Sequence, residues 1–205
     1  MIQLNVIIQQ MENLLIKRKA YLIESTMKES DNHVSYKVSF KNRFYFAKKY
    51  TNFVDFVKEQ QAYKDFKNYG IRNPKLLKVD KKNNILLYEF VDGVKALDAI
   101  AKNTIDDSWF EKLFTIYRFA RFSKIDIDYR PEQFVMVKDE LIYLQHDFME
   151  QNSKYNLENY GLDFWLYGDV CIKHLKEFGY EIDKTRVLEQ AEVNKKIVLL
   201  SIMKW

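Results

Sequence analysis

The chain has 205 residues, 47% of them hydrophobic and 16% aromatic, and a formal net charge of +4. That length and apolar content support one large domain or two small lobes and exclude a globally disordered chain, and no stretch approaches the ~20 apolar residues of a membrane span. Basic and acidic residues are interleaved, which argues against a nucleic-acid-binding face, while one cysteine (Cys171) and three separated histidines (His33, His146, His174) form neither an internal disulfide nor a zinc pattern and suit a reducing cytoplasm.

The first residues lack a basic stretch, and their apolar run is broken by glutamines, so a secretory leader is not expected. Ile7, Ile8, Met11, Leu14 and Leu15 are spaced as on a helix over residues 4–16. Residues 20–25, 33–40 and 43–50 follow as strands. Tyr36, Val38 and Phe40, then Phe44 and Phe46, alternate with polar residues as in a half-buried antiparallel sheet. A helix is predicted over 52–69, with Asn52 as its cap and Gly70 as its stop. Residues 75–79 and 84–90 form two further strands, and Asp92-Gly93 closes the first half. Ser108-Trp109-Phe110-Glu111 has the form of a capping box that opens another helix. Strands at 134–137 and 141–145 flank a turn at 138–140. Helices over 158–178 and 184–203 complete the chain. The order, strands with one helix and then mostly helices, predicts an α+β protein divided at about residue 92 into an N-lobe (1–92) and a C-lobe (93–205).

Asp128-Tyr129-Arg130-Pro131-Glu132-Gln133-Phe134, followed by Asp147-Phe148-Met149, groups carboxylates, a cation and an amide at two linked places. Phosphoryl transfer needs this kind of placed charge: cations for phosphates, carboxylates for Mg²⁺ and a carboxylate beside the attacking hydroxyl. The pattern resembles the protein-kinase-like superfamily, whose catalytic loop D-x-x-x-x-N is followed by D-F-G. The resemblance covers roughly residues 33–178 and implies a two-lobed protein-kinase-like fold, with an antiparallel-sheet N-lobe carrying one helix and a small, mostly helical C-lobe. It also implies an ATP-dependent kinase with Mg²⁺ as cofactor and a hydroxyl acceptor, small molecule or protein.

By the same resemblance, Asp128 orients or deprotonates the acceptor, Arg130 neutralises the transferred phosphate, and Asp147 and Gln133 hold the metal. Ala47-Lys48-Lys49 is similar to the strand in which a small residue (Ala47) leaves room for adenine and a lysine (Lys49) meets the phosphates. Glu59, in the next helix, is then the partner of that lysine. Residues 85–93 resemble the segment joining the lobes, with backbone groups from Glu89 to Val91 meeting adenine. Asp163-Phe164-Trp165-Leu166-Tyr167-Gly168 is similar to D-x-W-S-x-G, where the Asp accepts N–H bonds from the catalytic loop and the Gly permits close helix packing.

Four departures shape the expectation. No glycine precedes residue 70, so a Gly-rich phosphate loop is missing. Gln133 stands where the family has Asn. Met149 replaces Gly at a place where φ > 0 would strain it, and Asp126 replaces the loop His. The stretch from Asp147 to Asp163 is short for docking a polypeptide, as in reduced prokaryotic kinases. The alternative expectation is a pseudokinase, a nucleotide- or protein-binding module whose chemistry has lapsed.

Overall fold

The computed structural model describes residues 12–181 and Ile197. The expected helix at 184–203 lies outside the described residues except for Ile197, which is helical and belongs to a hydrophobic core. The start of the expected N-terminal helix is also outside them, and its described end is not helical: Asn13–Ile16 is a strand (β1). Leu14 and Ile16 are buried and Asn13 and Leu15 exposed, so the period is 2, and pairing with the next strand supplies partners for the backbone groups.

Two compact units are present. The first runs to Gln60 and adds Lys75–Phe90; the second comprises Gln61–Pro74 and the chain from Val91 onward. The first unit is a six-stranded antiparallel sheet of β1, β2 (Lys19–Glu29), β3 (His33–Phe40), β4 (Arg43–Tyr50), β5 (Leu76–Asp80) and β6 (Ile85–Glu89), ordered β1-β2-β3-β4-β6-β5. One face buries Leu14, Ile16, Tyr21, Val38, Ala47, Ile85 and Leu87. With glycine absent, the hairpin turns at Lys17-Arg18 and Lys41-Asn42 place non-glycine residues at φ of 47° to 66°, the geometry a two-residue hairpin demands.

Helix α1 (Phe53–Tyr69) begins in the first unit, where Asn52 Oδ1 accepts the Asp55 N–H at 2.9 Å, and ends in the second at Gly70, whose φ of 74° suits a residue without Cβ. The second unit continues with β7 (Val94–Lys95), α2 (Ala96–Ala101), α3 (Asp107–Phe122), β8 (Ile125–Asp126), β9 (Phe134–Val137), β10 (Glu140–Tyr143), β11 (Met149–Glu150) and α4 (Asp169–Glu177). Asp106, not Ser108, caps α3: its carboxylate accepts the Ser108 N–H at 3.0 Å. The helix expected over 158–178 is a 3₁₀ turn at Gly161–Phe164 followed by the shorter α4. Among the described residues no helix is long and apolar enough to cross a membrane.

One carboxylate ties the two ends of the first sheet. Buried Asp80 accepts N–H bonds from Lys17 (2.7 Å), Lys82 (3.1 Å) and Asn83 (3.3 Å), and an amide bond from the Asn83 side chain (3.1 Å). Burial pushes its pKa up, but these bonds outweigh that and hold it below the ordinary 3.8. Asp80→Asn should lower unfolding stability by about 1–3 kcal/mol. The deficit should be complete above pH 3.8 and close as pH falls through the lower folded value, since a depressed carboxylate stabilises only while ionised. Urea unfolding at several pH values measures it; an equal deficit at pH 2 and 7 would contradict the assignment.

Candidate functional site

In the second unit, β8 delivers the chain to Ile127-Asp128-Tyr129-Arg130, and a 3₁₀ turn at Pro131–Gln133 starts β9. Arg130 is extended, as the residue before proline must be. Alternation along this segment buries Ile127 and Tyr129 and leaves Asp128 and Arg130 half-buried. Tyr129 is held from several sides. Its carbonyl accepts the Trp165 indole N–H at 2.6 Å, its hydroxyl donates to Asp126 Oδ1 at 3.4 Å, and its ring meets Tyr117 edge-on with centroids 5.6 Å apart.

Asp126 is fully buried and accepts the Asn152 N–H at 2.7 Å; burial pushes its pKa up. β11 pairs with β8, Met149 opposite Asp126 and Glu150 opposite Ile125. Met149 is therefore extended strand, without the positive φ that a glycine at this place would permit, and the anticipated strain is absent. Asp126 thus supports the loop as an acceptor where the resemblance has a donor.

Arg130 lies across Asp128: its Nε donates to Oδ1 at 2.9 Å and its Nη2 to Oδ2 at 2.5 Å. The Asp128 hydrogen bond raises the Arg130 pKa further above its usual value. The Gln133 Nε2 also donates to Asp128 Oδ2, at 3.2 Å, while the Gln133 Oε1 accepts from Gln145 Nε2 at 2.9 Å. Behind the loop, Glu132 Oε1 is 3.5 Å from Arg130 Nε, and its Oε2 is 2.7 Å from Nε2 of the buried His174, which packs between Phe164 and Phe178.

Asp147 follows β10 and is exposed. It meets the loop through fully buried Tyr143, whose hydroxyl accepts the Asp128 N–H at 3.3 Å and lies 3.3 Å from both the Asp147 carbonyl and Oδ1. Burial pushes the Tyr143 pKa well up, and the nearby carboxylates add to this. Phe148 packs edge-on against Phe66 and Tyr69. Among the described residues no group of three or more His, Cys, Asp or Glu converges on one point. One exposed carboxylate is nevertheless a sufficient protein ligand for Mg²⁺, which keeps several waters and takes its remaining ligands from substrate phosphates. Asp147 fits that requirement; Gln133, whose oxygen already accepts from Gln145, fits it less well.

Asp163 is exposed; the described bond from this segment to the loop is a different one, the Trp165 indole N–H donating to the Tyr129 carbonyl. Close packing falls to Gly161 rather than Gly168: a Cβ on Gly161 would lie 2.6 Å from Tyr129 Cβ, whereas one on Gly168 would meet only ordinary contact at 3.8 Å.

In the first unit, Glu59 is paired with Lys48, not Lys49. Lys48 Nζ lies 2.9 Å from Oε1 and 3.0 Å from Oε2, with side chains only 5% and 12% exposed. Tyr88 donates to Oε1 at 2.8 Å and Tyr50 donates to Oε2. Period 2 places Phe46, Lys48 and Tyr50 on the face toward α1. Ala47 lies on the opposite face within the core, and Lys49 is exposed. At the end of β6, the Glu89 N–H donates to the Lys75 carbonyl at 3.0 Å and Glu89 Oε1 accepts the Lys75 N–H at 3.1 Å, so this part of the stretch expected to meet adenine is engaged within its own sheet; Val91 is half-buried. Tyr143, Gln145 and Glu132–His174 were not singled out by the sequence. The one signal for Tyr143 was its place four residues before Asp147 at the end of an apolar strand.

No family model and no curated protein matches the chain. Among solved structures, it is similar to WaaP in complex with acyl carrier protein, at 11% identity and a TM-score of 0.53, over 84% of this chain and 88% of that one. It is also similar to the BubR1 kinase domain, at 13% identity and a TM-score of 0.49, over 69% of this chain; it spans only 51% of that chain's length. The fold is the α+β, protein-kinase-like one that the motifs implied, with a curled antiparallel sheet in the first unit.

Gly161→Ala should force Tyr129 and the loop apart and cost about 1–3 kcal/mol of stability in urea unfolding. Gly168→Ala, at open contact distance, should cost under about 1 kcal/mol. Equal effects would refute the packing role assigned to Gly161.

Proposed function

We propose that the chain is an ATP-dependent, Mg²⁺-assisted phosphotransferase acting on a hydroxyl acceptor. One observation carries this reading: Asp128, bonded directly by Arg130 and Gln133, is linked to Asp147, nineteen residues later, through the Tyr143 hydroxyl. In this reading Asp147 holds the metal at the nucleotide phosphates. Arg130 exchanges Asp128 for the transferred phosphoryl group, whose charge it can match with the same planar fork. That exchange frees an Asp128 oxygen to take the acceptor's proton as its oxygen bonds to phosphorus and the bond to the ADP leaving group breaks. Within the first unit, the lysine paired with Glu59, which the resemblance assigns to nucleotide phosphates, is Lys48 rather than Lys49. The tethered stretch after Asp147, through β11 and the Asn152 bond to Asp126, favours a small acceptor over a docked polypeptide.

A second reading, a nucleotide-binding pseudokinase, is favoured by the Gln133 amide, whose oxygen faces Gln145. Thermal unfolding with ADP, with and without Mg²⁺, separates the two. Ligand at 100 times its Kd should add about 2.7 kcal/mol. A Mg²⁺-dependent rise that Asp147→Asn abolishes supports the phosphotransferase. A rise indifferent to Mg²⁺ supports the pseudokinase, and no rise rejects both.

The two lysines give a separate test. Lys48→Met should abolish ADP binding and, by leaving the Glu59 charge buried without its cation, cost about 3–5 kcal/mol in urea unfolding. Lys49→Met should stay within about 0.5 kcal/mol and bind ADP as the wild type does. The reverse ranking would restore Lys49 to the site.

A further inference from the structure

We infer that Tyr143 is a positioning residue that sets Asp128 and Asp147 in a fixed relation through its buried hydroxyl. The functional half of this inference rests on the phosphotransferase reading; the structural half does not. A tyrosine hydroxyl has one proton and can also accept. Here it accepts the Asp128 N–H at 3.3 Å, so its proton faces Asp147, whose carbonyl and Oδ1 are each 3.3 Å away. The ring that carries the hydroxyl is fully buried. It packs against Phe66 (centroids 5.7 Å apart) and Phe134 (5.4 Å), and the Tyr143 N–H donates to the Arg72 carbonyl at 3.0 Å. The hydroxyl is thus placed by the packing of its ring and by the backbone bond to Arg72.

Asp147 is exposed, and solvent alone would leave its side chain several rotamers. A donor fixed by the core selects among them. The same oxygen meets the Asp128 main chain, so a shift in one aspartate is felt at the other. A phenylalanine at this place would keep the packing and lose only the link, which is why the hydroxyl, rather than the ring, is assigned the role.

The test compares Tyr143→Phe with Tyr180→Phe, which removes another hydroxyl of the same unit, bonded to Asp98. Amide hydrogen exchange is read at Asp128, and ADP affinity is measured with and without Mg²⁺. Tyr143→Phe should speed exchange at Asp128 at least tenfold beyond neighbouring second-unit amides and cut the Mg²⁺ gain in ADP affinity at least fivefold. Tyr180→Phe should do neither. Wild-type exchange at Asp128 in Tyr143→Phe, an undiminished Mg²⁺ gain, or equal losses in Tyr180→Phe would overturn the inference. So would failure of Tyr143→Phe to fold when Tyr180→Phe folds, since the hydroxyl would then be a fold determinant. A wild type with no Mg²⁺ gain would reject the phosphotransferase reading, and the exchange arm would still decide the role of Tyr143.

Discussion

Glu59 cannot leave water unless its charge is met, and in the first unit Lys48, Tyr50 and Tyr88 all meet it. These donors come from β4 and β6, so the carboxylate fastens α1 to the centre of the sheet. The strand register makes this possible. Phe46 lies opposite Tyr88 and Lys48 opposite Leu86, which puts the donors on one face; a slip of one residue would turn them all away. Apolar residues of similar volume would hold such a helix at least as well as a buried ion pair. In the proposed reading that same lysine also serves the nucleotide phosphates.

The second unit meets a related difficulty with strand pairing and hydroxyls. Its loop leaves Asp128 and Arg130 half-buried and anchors itself by burying the residue between them. Tyr129 is fixed by Trp165, Asp126 and the close approach of Gly161. The chain after Asp147 is fastened to the same place, since β11 pairs with β8 and Asn152 donates to Asp126. Hydrogen bonds of this density, near buried aromatic rings, are those expected of the more stable parts of a fold.

Much of this was legible in the sequence. The strands at 33–40 and 43–50, the Asn52 cap, the Gly70 stop and the hairpin at 134–143 follow from local rules of period, capping and left-handed backbone. What was not legible depended on choices between neighbours. Lys48 and Lys49 are chemically equal, and only the sheet's partners decide which one faces the helix. Asp163 matches a motif by spacing, yet the local chain forms a 3₁₀ turn that leaves it exposed, and the bond to the loop is an indole N–H donated to a carbonyl. Met149 is unstrained because a partner strand lets it stay extended, which no local pattern announces. Tyr143 was hidden because a tyrosine in an apolar strand reads as core, and it is core, with only its oxygen turned to polar partners.

Gln133, which stands where the resemblance has Asn, is engaged within the loop itself. An amide offers one acceptor and one donor end, and here both ends are engaged: the oxygen by Gln145, the nitrogen by Asp128. Turning the amide over would set its oxygen against the Asp128 carboxylate and its nitrogen against the Gln145 donor, so electrostatics on both sides fix its orientation. A metal needs oxygen alone and gains nothing from the donor end. The longer side chain therefore serves the loop first, drawing Asp128 toward the strand that leads to Asp147. In the proposed reading the carboxylate left for a divalent cation is that of Asp147, which is exposed and bonded to the Tyr143 hydroxyl. In the phosphotransferase reading proposed above, the choice between catalyst and binding module therefore turns on that carboxylate more than on the Gln133 amide.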